Sequence, residues 1–179
     1  YETAIIENIG DTLVVYSDDL SEFLPSLATE WEVNEAGNEY TFKLREDVYF
    51  HPGKFQDGRQ MTAEDVKYSL ERSHNESALA RLAMLDHCEV IDDFTVKCVL
   101  PNPDASFLPA LTNGGNVIVP KEEVEGWGDE FGAHFVGTGP FMMKEWKTDE
   151  AVEFVRSENF WGGDVYLDGL NFVYITDIN

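Results

Sequence analysis

Apolar and polar residues alternate most cleanly over Tyr40–Leu44, where Tyr40, Phe42 and Leu44 share one face and Thr41 and Lys43 the other. A period of two is that of a half-buried strand. Trp31 and Val33, set among Glu30, Glu32 and Asn34, repeat it, and Ala36-Gly37-Asn38 supplies the turn, so residues 31–44 read as a β-hairpin. Val48–Phe50 continues extended, and His51-Pro52-Gly53 and Gln56-Asp57-Gly58 read as turns. Thr62-Ala63-Glu64-Asp65 then has the form of a helix start, a hydroxyl cap with an acid three residues on, although Asp65 is one carbon shorter than the usual Glu. Val66, Leu70 and Ser69 give that helix a buried face, and Arg72 falls in its last turn.

Before the hairpin, residues 1–9 form a short helix stopped by Gly10, Thr12–Tyr16 a short strand, and Leu24–Ala28 a helical turn led by Pro25. After the capped helix, Ser77–Leu85 reads as a second helical run, and Cys88–Cys98 as two strands around Asp92-Asp93. Pro101–Asp104 breaks the sheet, and Asp104 caps a helix carrying Phe107, Leu108 and Leu111. Thr112–Asn116 is a flexible loop, Lys121–Val124 one helical turn, and Val136–Pro140 a tight turn. Phe141–Trp146 and Val152–Arg156 are strands around Thr148-Asp149-Glu150, and Leu170–Ile175 is a last strand. The pattern is an α+β fold, a mixed sheet with short helices.

Size and charge narrow the functional classes. With 179 residues, 43% of them hydrophobic, the chain buries one real core but not two full-sized domains. Thirty-five acids against twelve bases leave a net charge of −23, which repels nucleic-acid phosphates and anionic membrane surfaces. The 13% aromatic content argues against disorder. No apolar run approaches the roughly 18 residues of a membrane span. No signal peptide is visible and the chain begins at Tyr1, so a processed form or an excised piece is expected.

Two registers are open to the cysteines. A three-residue loop places Cys88 opposite Cys98, at a spacing a disulfide accepts; a two-residue loop places it opposite Lys97 and forbids the bond. Otherwise both are small apolar side chains beside Val90, Val96 and Leu100.

Candidate chemistry is sparse. His51, His74, His87 and His134 lack zinc-ligand spacing, and neither cysteine lies in a CxxC. No nucleophile-elbow or kinase signature is present, and the abundant acids define no glycosidase pair. Asn75-Glu76-Ser77 matches a glycosylation sequon by pattern alone. The Gly137–Pro140 turn fits either an anion-binding nest or a simple chain reversal. Trp31, Trp127, Trp146 and Trp161 fit core packing or a pocket lining.

Several stretches resemble a known family: LPSLATEWEV (Leu24–Val33), YTFKLREDVYFH (Tyr40–His51) and DGRQMTAEDVKYSLER (Asp57–Arg72), then VGTGPFMMKEW (Val136–Trp146), VRSENFWGG (Val155–Gly163) and LDGLNFVYITD (Leu167–Asp177). In order and spacing they are similar to the extracellular solute-binding proteins of family 5, the peptide-, nickel- and oligosaccharide-binding receptors of ABC importers. The resemblance implies a partial lobe of a periplasmic-binding-protein type II-like fold. Residues 1–29 would start the main lobe, 30–115 form a small inserted domain and 116–179 return to the main lobe, with the second large lobe absent.

It also implies a monomeric, extracytoplasmic protein, periplasmic or lipid-anchored to the outer face of the cell membrane. Such a protein captures peptides or another small solute and passes them to an ABC permease, with no cofactor and no turnover. The ligand-facing positions it carries over are Asn8, Ile9, Gly10 and Thr12, then Asn113, Gly114, Gly115 and Asn116, then Thr138 and Gly139. Two alternatives stand beside it. One is a sensory or interaction domain on the same fold, the other a hydrolase using acids near a solvent-reachable His51.

Overall fold

A computed structural model describes the backbone of residues 2–174 and the side chains from Ile5 to Tyr174. Helix α1 (Glu2–Ile9) buries Ile5 and Ile9, one turn apart on one face, and closes with the Gly10 amide donating to the Ile6 carbonyl at 2.9 Å. Strands β1 (Val14–Tyr16) and β2 (Phe23–Pro25) follow as an antiparallel ribbon, with Val14 opposite Pro25.

The expected helical turn at Leu24–Ala28 is therefore an extended segment. The amides of Leu27 and Ala28 donate to the carbonyls of Thr12 and Leu13, at 3.2 and 2.9 Å, bonds no local turn supplies. Pro25, which lacks an N–H, sits in an exposed two-stranded ribbon where that loss is tolerated.

The central sheet is antiparallel with the order β3-β4-β6-β5, built from β3 (Ala28–Val33), β4 (Glu39–Leu44), β5 (His87–Asp92) and β6 (Thr95–Val99). Tyr40, Phe42 and Leu44 are all buried, as their alternation predicts. On the edge strand Trp31 is half-buried and Val33 exposed. Helix α2 (Ala63–Glu76) packs on this sheet and buries Val66 and Leu70, while the buried Ser69 hydroxyl bonds the Val119 backbone, accepting from its amide at 3.0 Å. Asp65 reaches back despite its shorter side chain: its Oδ2 accepts from the Thr62 amide at 2.9 Å. The helix runs one turn beyond Arg72, so His74 occupies its last turn.

Ser77–Leu85 is not a second helix. Ser77 leaves α2 with extended backbone, Ala80 adopts φ 47°, and isolated bonds such as Ala80 N to Ser77 O at 2.9 Å make a run of turns. His74 Nδ1 donates to the Leu82 carbonyl at 2.8 Å and folds the segment back onto α2, burying Leu82 and Leu85.

Cys88 and Cys98 face each other across β5 and β6 with Cα atoms 4.2 Å apart and are disulfide-bonded. The loop that joins the strands has only two residues, since Asp92 pairs with Thr95. A bulge between Val90 and Asp92 restores the register that the three-residue loop was expected to provide. By loop length this bond contributes about 2–3 kcal/mol. A Cys88→Ala/Cys98→Ala protein should lose about that much in urea unfolding; an unchanged midpoint would contradict it.

Helix α3 (Phe107–Leu111) starts after Ser106, which makes no side-chain capping bond; Asp104, the expected cap, instead accepts from the Ser106 amide and hydroxyl in the turn before the helix. Residues 112–116 are ordered as a 3-10 turn over Gly114–Asn116. Helix α4 (Lys121–Trp127) and a 3-10 segment (Gly128–His134) lead to the antiparallel sheet β7 (Phe141–Lys147), β8 (Ala151–Arg156) and β9 (Gly169–Val173). Ile175, assigned to the last strand from sequence, and Tyr1, assigned to the first helix, lie outside the described residues. One core surrounds Phe42 and Phe107, and a second joins Ile5 and Ile9 to Phe141, Val152 and Phe154.

Candidate functional site

The three segments carried over as ligand-facing meet at Gly10–Thr12. The Ile118 amide donates to the Asp11 carbonyl at 3.0 Å, and the Gly139 amide to the Ile9 carbonyl at 3.2 Å. The contact requires glycine. A Cβ on Gly137 would run into the Ile9 carbonyl oxygen, and one on Gly139 would lie 2.9 Å from the Asn8 carbonyl oxygen.

Asp11, between Gly10 and Thr12 and outside the set expected from sequence, is the node. Its Oδ2 accepts from the Thr138 hydroxyl at 2.8 Å and from the Trp161 indole N–H at 3.0 Å. Burial raises its pKa, and the hydrogen bonds from Trp161 and Thr138 pull it partly back.

Several of the expected side chains are engaged within the fold. The Thr12 hydroxyl donates to the Val14 carbonyl at 2.8 Å, and Thr138 serves Asp11. Asn116 donates to the Ala110 carbonyl at 2.7 Å and accepts from the Ser73 hydroxyl. All three are buried. Asn113 is exposed, with its side-chain oxygen accepting from the Gly115 amide at 2.9 Å.

Gly10, Thr12 and Gly114 line a hollow of about 330 Å³ with Tyr16 and Ser26. Asn113, Gly114 and Gly115 line a larger one of about 640 Å³, and Gly114 and Val117 border both. The larger hollow has an apolar wall that includes Ile6, Val119, Phe131 and Phe135. Opposite in character are Arg72, paired with Glu76 at 3.0 Å, and Arg81. Neither arginine was singled out as ligand-facing from sequence. Arg81 lies in the Ser77–Leu85 stretch, whose apolar spacing reads as helical; its charge amid a strongly acidic chain is the signal the sequence carries.

The pattern of one family spans most of this chain: "Bacterial extracellular solute-binding proteins, family 5 Middle" matches residues 22–179. The chain belongs to this family. Among its family-5 relatives, the heme-binding protein A of Haemophilus influenzae is 32% identical over 96% of the chain, and the dipeptide-binding protein of Escherichia coli 29% over 92%. The chain spans 35% of the length of each.

Solved structures of binding proteins superpose closely. The periplasmic binding protein DppA of Helicobacter pylori in complex with the peptide STSA matches with TM-score 0.79 at 30% identity, over 94% of this chain and 37% of that one. MoaA of A. tumefacien R10 in complex with mannopinic acid matches with TM-score 0.88 at 28% identity, over 98% and 36%. The family-5 fold seen here is a mixed α+β arrangement, part of a lobe of the type II periplasmic-binding-protein architecture. No helix among its described residues is long and apolar enough to cross a membrane.

A third hollow of this family-5 chain, about 430 Å³, borders His51, Glu123, Trp127 and His134. His51 is 4% exposed, not solvent-reachable as the hydrolase alternative requires. Its Nε2 donates to the Gly139 carbonyl at 2.8 Å, and its Nδ1 has no hydrogen-bond partner. Burial lowers its pKa from 6.5 to about 4, against a small opposing effect of the Gly139 bond.

The fold thus favours neutral His51. Its contribution is complete above pH 6.5 and is lost as pH falls from 6.5 to 4, about 3 kcal/mol in all. Asp11, with a raised pKa, acts with the opposite sign and gains as pH falls. Denaturant titrations of the natural protein and of His51→Gln should therefore diverge across pH 6.5 to 4, with the variant flatter. Parallel curves would refute the assignment.

Proposed function

We propose that this chain supplies one wall of the solute cleft of an ABC-importer receptor that captures peptides outside the cytoplasmic membrane and hands them to a permease. The observation that carries the reading is the larger hollow. At about 640 Å³ it has the size and the mixed apolar and polar lining of a small-solute site. Receptors of this kind act by closing lobes around a ligand and need no reactive group. Family membership and the peptide-binding relatives support the same reading.

In this reading residues 30–115 are the small inserted domain, between a main lobe that starts over 1–29 and resumes over 116–179. The ligand-facing set is Asn8, Gly10, Thr12, Asn113–Asn116, Thr138 and Gly139. Those whose side chains are engaged internally contribute shape and backbone groups. The protein works as a monomer, without turnover, in the periplasm or anchored by a lipid to the outer face of the cell membrane.

Thermal melting of the natural full-length protein against short peptides, nickel and oligosaccharides tests this. Binding raises the melting temperature by mass action, and short peptides are expected to give the largest rise. No shift with any solute class would overturn the receptor reading. A rise with sugars or nickel alone would overturn the peptide assignment.

A further inference from the structure

We propose that Arg81 is a carboxylate hook in the larger hollow, so that the solute is an organic acid with an apolar group beside its carboxylate. The proposal rests on the receptor reading above and names its ligand class.

Of the five arginines, four have carboxylate partners: Arg45 with Asp47, Arg59 with Asp65 and Glu122, Arg72 with Glu76, and Arg156 with Glu158 and Asp168. Arg81 has none among the described residues, although acids outnumber bases 35 to 12. Its one hydrogen bond runs from Nη1 to the Ser77 hydroxyl at 3.3 Å, leaving most of its five donors open. A half-buried guanidinium without a carboxylate among the described residues, in so acidic a chain, is open to a carboxylate brought by a ligand.

The surroundings fit that partner. The guanidinium lies against Gly115, where a Cβ would sit 2.6 Å from Cζ, so the glycine backbone is the bed that holds the fork. Glu76, which also borders the hollow, is already met by Arg72, and Asp129 is exposed to solvent. A carboxylate matches the planar fork of a single guanidinium, while a phosphate dianion would meet the net charge of −23 with twice the repulsion. Phe131, Phe135 and Val119 supply the apolar wall for the adjoining group.

The test is calorimetry on the natural full-length protein with alanyl-phenylalanine and its carboxamide, N-acetyl-phenylalanine and its carboxamide, maltotriose and nickel chloride. The acids should bind about 10- to 100-fold more tightly than their amides. Arg81→Gln should lose that factor for the acids and leave the amides unchanged, with an unaltered melting temperature of the unliganded protein. Gly115→Ala, which displaces the guanidinium without removing it, should fall between.

Equal affinity for acid and amide, native affinity of Arg81→Gln for the acids, or binding of maltotriose or nickel but of no acid would overturn the carboxylate hook and leave the receptor reading intact. Heat from none of the probes would overturn this proposal together with the receptor reading on which it rests.

Discussion

Arg59→Met is expected to lower the stability of the protein by about 3–5 kcal/mol, because it strands a buried carboxylate. Asp65 is 3% exposed, and both its oxygens accept from Arg59, at 2.6 and 2.8 Å. The same guanidinium engages Glu122 through Nε and Nη2, at 2.6 and 2.7 Å, and the Gln60 carbonyl at 3.1 Å, so all five donors are used. Asp65 holds it charged most strongly and Glu122 next, and Arg59 in turn depresses the Glu122 pKa.

The effect reaches beyond one pair, since Asp65 also closes the N-terminus of α2 through the Thr62 amide while Glu122 belongs to α4. One side chain thus ties two helices that are distant in sequence. Arg59→Lys keeps the charge and loses the fork, and should fall about midway. Adding Asp65→Asn to Arg59→Met should recover part of the loss by removing the stranded charge. Urea unfolding reads all three; a cost below about 1 kcal/mol for Arg59→Met would mean the cluster behaves as an ordinary surface pair.

Glu123→Ala should cost about 3–4 kcal/mol. Glu123 is fully buried, and its carboxylate accepts from the amides of Phe55 and Gln56, at 2.6 and 3.1 Å, and from the Trp127 indole at 3.0 Å. Three donors lose their acceptor at once, each at roughly 1–3 kcal/mol when left unpaired, and partial access of water keeps the total below the sum. Gly53 is required beside it, because a Cβ there would collide with the carboxylate. Glu123→Gln can keep its oxygen on the Phe55 and Gln56 amides but turns an NH₂ toward the Trp127 indole N–H, so it should recover only part of the loss. A changed Trp127 emission should accompany the loss; full stability of Glu123→Ala would show that the 53–56 loop holds itself.

Much of this was legible along the chain because the forces involved are local. The alternation of Tyr40, Phe42 and Leu44 marked the buried face of β4, and Thr62 with Asp65 marked the start of α2. The Ser77–Leu85 run departs from its helical expectation because apolar spacing alone does not separate a helix from turns whose leucines fold inward. There the decisive contact is the His74 ring on the Leu82 carbonyl. Asp11 gave no signal at all, since its partners Thr138 and Trp161 lie more than a hundred residues away.

The sequence by itself determined the α+β class, the central hairpin, the capped helix and the family, because periodicity, capping and motif order act over a few residues or are read directly in the chain. Tertiary structure decided the strand at Leu24, whose hydrogen bonds come from residues 12 and 13, and the bulge that lets Cys88 meet Cys98. It also decided which polar side chains remain open. Thr12, Asn116 and Thr138 satisfy buried groups of the fold, while Arg81 alone among the arginines finds no carboxylate among the described residues. A buried polar group must be paired wherever the folded chain brings a partner, and that depends on contacts in space that spacing along the sequence does not record.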